Sequence, residues 1–204
     1  MADAFGNIIV LVVNTLGHVL MLVLLLRFLL QATRADFYNP VSQSLVRLTA
    51  PVLNPLRRVI PSWRNFDFAT LLVALLFGVL ATLIMLLASK IDLTLSGIGI
   101  GTLLSWSFVG MLSYISKIYF WGLLISVIAS WVAPFSGNPA LMLVQQLLEP
   151  VQSLFRKVIP PIGGLDLSPI FIFLAIQLID QFVIGGLRVG FGLGNQASLY
   201  VIGI

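Results

Sequence analysis

Among the polar residues set inside strongly apolar sequence, His18, Lys117, Gln177 and Asp180 are the ones whose types could do acid–base or hydrogen-bonding chemistry, with Asn14 and Thr15 beside His18, Ser113 and Ser116 beside Lys117, and Gln181 beside Asp180. Ionisable groups in hydrocarbon are costly, and they mark ion paths, buried pairs or side chains that snorkel to the interface. Lys117 lies roughly 20 Å along its apolar stretch counted from Leu104, and Asp180 roughly 18 Å along its own from Ser168, at about 1.5 Å per residue. With a hydrocarbon core of about 30 Å, a Lys117–Asp180 pair is within reach. Three chemistries stay open: a polar clasp between helices, the lining of a proton or cation path, and snorkelling. The sequence has no His-Glu zinc motif, no Ser-His-Asp set and no strand-borne phosphate loop, and a lone aspartate points weakly to catalysis. We expect no enzyme.

The elements that position these residues follow from composition. Of 204 residues, 59% are hydrophobic and 9% charged, against about 25% charged in a soluble domain; mean hydropathy is +1.10. Four apolar stretches stand out, at 5–30, 68–88, 103–132 and 167–187. Each can satisfy its own backbone across lipid only as a helix. The expected class is an all-α membrane protein with four transmembrane helices. The opening segment lacks a basic start, and its apolar run exceeds a cleaved signal's 7–15 residues, so it reads as a retained anchor.

Cysteine is absent and His18 is the single histidine. That removes thiol chemistry, Cys/His metal sites and covalent haem attachment, and no cofactor is expected. The net charge of +4 comes from scattered residues, not from a basic run that tracks phosphates, so no nucleic-acid partner is expected.

A self-comparison reveals a 99-residue repeat. Asn39-Pro40 recurs as Asn138-Pro139, Leu48 as Leu147, and Pro51-Val52 as Pro150-Val151. Arg57 recurs as Arg156, Val59-Ile60-Pro61 as Val158-Ile159-Pro160, and Asp67 as Asp166. These matches are mostly Pro, Arg, Asn and Asp, which apolar composition does not produce by chance. The first repeat spans 1–90 with connector 31–66, and the second spans 101–204 with connector 134–165. A linker at 91–100 contains Gly97 and Gly99, and Gly101 follows it. Two crossings per repeat in one chain direction make the repeats parallel.

Seven Lys or Arg residues in the connectors against two on the other side, Lys90 and Arg188, place the connectors in the cytoplasm and both termini outside. Each connector reads as two short amphipathic pieces, the first closed by Pro51 and the second by Pro61. Such pieces lie in the interface or dip shallowly into the bilayer. Asn39, Asp67, Asn138 and Asp166 read as helix caps. Arg57, Arg58, Arg156 and Lys157 are candidates for contact with anionic lipid, or with a membrane or cytoplasmic protein partner; simple topology anchoring is the plainer role.

The pattern N-P-x(10)-P-V-x(4)-R-[RK]-V-I-P followed by Asp, present at 39–67 and 138–166, resembles the YggT family, also called YlmG. The resemblance implies a bacterial inner-membrane protein of two such repeats. It also implies a link to osmotic tolerance or cell division, with plastid relatives tied to haem assembly and nucleoid distribution. Without a covalent haem motif, direct haem carriage is not expected here.

Overall fold

The computed structural model describes residues 2–91, 98–133, 136–159 and 166–204. Most of the linker at 91–100, together with Pro160 and the end of the second connector, lies outside the described residues.

Four helices are long and apolar enough to cross a membrane: Ala4–Ala32, Phe68–Ala88, Ile100–Val132 and Ser168–Gly190. They match the four sequence stretches to within a few residues at each end. The protein is a multi-pass helical membrane protein. Its elements are α1 (Ala2–Ala32), α2 (Pro40–Arg57), α3 (Phe68–Ala88), α4 (Ile100–Val132), α5 (Pro139–Val158) and α6 (Ser168–Leu178). A π-helical turn, Ile179–Ile184, continues α6 into α7 (Gly185–Gly190), and a short α8 (Asn195–Ser198) follows. Gly101 is part of α4, with Gly99 as its N-terminal flank, so only the glycines before residue 100 belong to the linker. The pairs α1/α4, α2/α5 and α3/α6 are the two copies of the repeat. α1 packs on α3 and α4, and α2 packs directly on α5.

Among the described residues each connector holds one helix, not two pieces. α2 runs through Pro51 and Pro55, and α5 through Pro150. A helix-interior proline removes one hydrogen bond and crowds the carbonyl four residues back. Pro51, Pro55 and Pro150 all sit on exposed faces, where the freed carbonyls can meet water or headgroups, and the helix survives. The inner face of α2 buries Leu45, Thr49 and Leu53, while Leu48 and Val52 are exposed outward.

The last residues fold back instead of trailing from the final span. Val201 and Ile202 are buried, and Ile202 joins the same apolar cluster as Met21, Leu25 and Met85. The approach requires glycine. A β-carbon at Gly110 would fall on the Ile202 carbonyl, and one at Gly17 on the Ile202 side chain. Gly203 sits at φ +104 with its backbone against Gly110. Irregular backbone at membrane depth persists only where protein covers it, and α1 and α4 provide that cover. We expect Gly110→Val to expel this segment. A cysteine at Val201 should then react with a maleimide in the variant and stay unreactive in the parent; equal reactivity would mean the close approach is not needed.

Candidate functional site

The repeat-matched polar residues converge where each connector meets its spans. In the first repeat Asp67 caps α3, its carboxylate accepting from the Thr70 amide at 3.3 Å and the Thr70 hydroxyl at 2.5 Å. Arg57, at the end of α2, donates to the same carboxylate through Nε at 3.0 Å and through Nη2. Nη2 also reaches Gln31 Oε1 on α1 at 3.1 Å. One guanidinium therefore ties the ends of α1 and α2 to the start of α3. In the second repeat Arg156 Nε donates to Asp166 Oδ2 at 2.9 Å, and Nη2 reaches Gln152 at 3.1 Å. Asp166 Oδ1 accepts from the Ser168 amide at 2.9 Å.

The two clasps share atoms and spacing but not environment. Asp67 is 0% exposed and Asp166 36%. Burial pushes the Asp67 carboxyl up, but the hydrogen bonds from Arg57 and Thr70 outweigh it and hold it below the usual carboxylate range. Asp166 is lowered by hydrogen bonding from Ser168, with Arg156 adding to it. A depressed folded value contributes stability that is full above the unfolded value, about 3.9, and is lost as pH falls through the folded one. We expect Asp67→Asn to flatten the acid side of the stability profile, measured by thermal melts in detergent across that range. Parallel acid limbs in variant and parent would contradict the linkage.

The connectors also join each other. Asn39 caps α2 by accepting from the Val41 amide at 2.9 Å, and its Nδ2 donates across the repeat boundary to the Pro139 carbonyl at 2.8 Å. The Asp36 amide donates to Gln146 Oε1 at 2.8 Å. Asn138 caps α5 through the Ala140 amide at 2.9 Å. The two connectors thus form one plate across one end of the bundle.

This geometry divides the four basic candidates. Arg57 and Arg156 are engaged in the clasps, with side chains 31% and 39% exposed. Arg58 and Lys157 are exposed. Sequence reasoning gave the Arg and Asp of each repeat separate roles, although their shared ten-residue spacing in both copies was the signal for a pair. A further functional residue, with no motif in the sequence to mark it, is Arg27 near the end of the first apolar stretch. Arg27 is 4% exposed, and its Nη1 donates to the Val46 carbonyl at 3.1 Å and to the Thr49 hydroxyl, which docks α2 on α1.

Within the spans, Lys117 Nζ donates to the Gly203 carbonyl at 2.9 Å, and no Lys117–Asp180 ion pair forms. The two side chains share a cavity of about 520 Å3 with Gln177, Gln181 and Arg188. Asp180 sits in the π-helical turn. His18 stays on α1, its Nδ1 2.9 Å from the Asn14 carbonyl, while the Tyr114 hydroxyl donates to the His18 carbonyl at 2.8 Å. On α4, Lys117 therefore serves the folded-back segment and Tyr114 the α1–α4 contact, while Ser116 and Lys117 both line the cavity that holds Gln177 and Asp180.

A family model described as CCB3/YggT matches the chain twice, over residues 6–88 and 105–187, offset by the same 99 residues as the sequence repeat. An uncharacterised protein of Pseudomonas aeruginosa is 47% identical over 194 residues, covering 93% of this chain and 95% of that protein. The Escherichia coli K12 protein YggT is 34% identical over 177 residues, covering 87% of this chain and 89% of its own length. The Guillardia theta protein ycf19 is 38% identical over 84 residues, which is 87% of that protein but 40% of this chain, a match one repeat long. No solved structure matches the chain. With both repeats matched and relatives this similar over most of their length, the chain belongs to the CCB3/YggT family.

Proposed function

We propose that this protein is a non-enzymatic scaffold of the bacterial inner membrane, presenting its joined connectors to the cytoplasm as a docking plate. The observation that carries this reading is the plate itself. Asn39–Pro139 and Asp36–Gln146 contacts tie the two connectors together, and an Arg–Asp clasp anchors each to its outgoing span. Rigid positioning of two surface helices suits presentation to lipid or protein. The excess of Lys and Arg on this side supports a cytoplasmic orientation, and the start of α1 and the end of the last span then lie on the periplasmic side. Exposed Phe37, Tyr38 and Trp63 suit the interfacial aromatic belt, with the plate resting on anionic lipid. A place in osmotic tolerance or cell division, implied by the family resemblance, is consistent with a membrane platform.

The test uses Arg58→Gln with Lys157→Gln, which leaves both clasps intact. We expect unchanged abundance and melting, greater protease sensitivity of the connectors in inside-out vesicles, and loss of co-purifying partners. A double variant with parental protease sensitivity and partner recovery would leave the plate without a docking role.

The rival reading is a small-ion transport component. The cavity shared by Lys117 and Asp180, beside a π-helical turn of the kind frequent at functional sites, favours it. Proton flux into liposomes that vanishes with Asp180→Asn would establish that reading and displace the scaffold.

A further inference from the structure

Three guanidinium groups of the first repeat, Arg27, Arg34 and Arg57, line one cavity of about 260 Å3 on the connector side, with Gln31 and Ser42. Arg27 lies buried at its wall and, among the described residues, spends only Nη1 on protein acceptors. An arginine has five N–H donors in a fixed fork, so donors remain. Arg57 is bonded to Asp67. Arg34 is exposed at the mouth and held there by a left-handed backbone, φ 58. Three cations thus answer to one bonded carboxylate, while nearby Asp36 turns Oδ1 to the Tyr38 amide. The second observation is independent of charge. Ser42 is 6% exposed, and its buried Oγ has no hydrogen-bond partner among the described residues. A buried hydroxyl left unpaired costs free energy, and here it stands in the wall of a cationic cavity.

We propose that this cavity binds a phosphate-bearing anion. Arginine forks match phosphate oxygens in bidentate fashion, and the Ser42 hydroxyl supplies a further donor. The ligand chemistry is shared by a lipid phosphate headgroup and a free phosphate. The second repeat serves as an internal control. Positions matching Arg27, Arg34 and Ser42 are Ser126, Ala133 and Leu141. The corresponding cavity is lined by Ser126, Glu149, Arg156 and Asp166. The anion site is a property of the first repeat alone, and it stands or falls separately from the scaffold reading.

The experiment uses the full chain, delipidated in a neutral detergent. Inorganic phosphate is titrated calorimetrically in one arm, and phosphatidylglycerol retention is read by native mass spectrometry in the other, with phosphatidylcholine as control. We expect one bound equivalent in at least one arm. Arg34→Gln, a substitution at an exposed side chain with no hydrogen bond among the described residues, should weaken it about tenfold, the loss of one charge-assisted contact. Ser42→Ala should weaken it several-fold, and Arg47→Gln, at an exposed position of α2 outside the cavity lining, should leave it unchanged. Retention of phosphatidylglycerol without phosphate binding assigns a lipid headgroup, and phosphate binding alone assigns a soluble ligand. Absence of binding in both arms would overturn the proposal. So would equal losses in Arg34→Gln and Arg47→Gln, which indicate general surface attraction, or an Arg34→Gln variant that binds as the parent does.

Discussion

Asp67→Ala should destabilise the protein in detergent by about 3–5 kcal/mol, the cost of breaking a buried ion pair, whereas Asp166→Ala should cost less than about 1 kcal/mol. The two aspartates occupy the same place in their repeats and meet the same arginine atom. What differs is water. Asp67 is fully buried and Arg57 is 31% exposed, while Arg156 and Asp166 are 39% and 36% exposed. Removing Asp67 strands a partly desolvated guanidinium and deletes the cap of α3, worth about 1 kcal/mol by itself. Combining Asp67→Leu with Arg57→Met should recover much of the loss, because apolar replacement of a buried pair is often neutral. Equal losses at Asp67 and Asp166 would mean that burial does not set the strength of the clasp.

Lys117→Met should cost about 1.5–3 kcal/mol, the range for a hydrogen bond to a charged group, and it should release the folded-back segment. Lys117 is the side chain that satisfies the Gly203 carbonyl, and that carbonyl has little access to water. Asp180→Asn should change melting by no more than a few tenths of a kcal/mol, because no ion pair is broken. A cysteine at Val201 reports the release directly. Melting that falls as much for Asp180→Asn as for Lys117→Met would restore the direct pair that spacing alone suggested.

The spans and the repeat were legible because each rests on a strong signal. Apolar runs such as Phe68–Ala88 have one backbone solution in lipid, and recurring Pro, Arg, Asn and Asp cannot come from composition. Continuity of the connector helix was not legible. Pro51 reads as a stop in sequence, and only the exposed side of α2 on which it falls, together with the Arg27 bonds to Val46 and Thr49, explains why the helix continues. The clasps were half legible: Arg57 and Asp67 were both singled out, but a ten-residue separation has no local geometry to announce a bond. The folded-back Val201–Gly203 was invisible, since a glycine-rich stretch after a span looks like an ending. Its partners Gly17, Gly110 and Lys117 lie far away in the chain.

The central claim is that the joined connectors form a cytoplasmic plate, and side-specific thiol labelling tests it most directly. Single cysteines belong at Ser44 and Glu149, exposed on α2 and α5, and at Gly99 on the opposite side; Ser42 and Gln152 are buried and would be shielded on either side. The sequence has no native cysteine to give background. With an impermeant maleimide on intact cells, we expect labelling at Gly99 alone, and labelling at Ser44 and Glu149 only after permeabilisation. Labelling of Ser44 and Glu149 in intact cells, with Gly99 protected, would turn the plate outward and contradict the account.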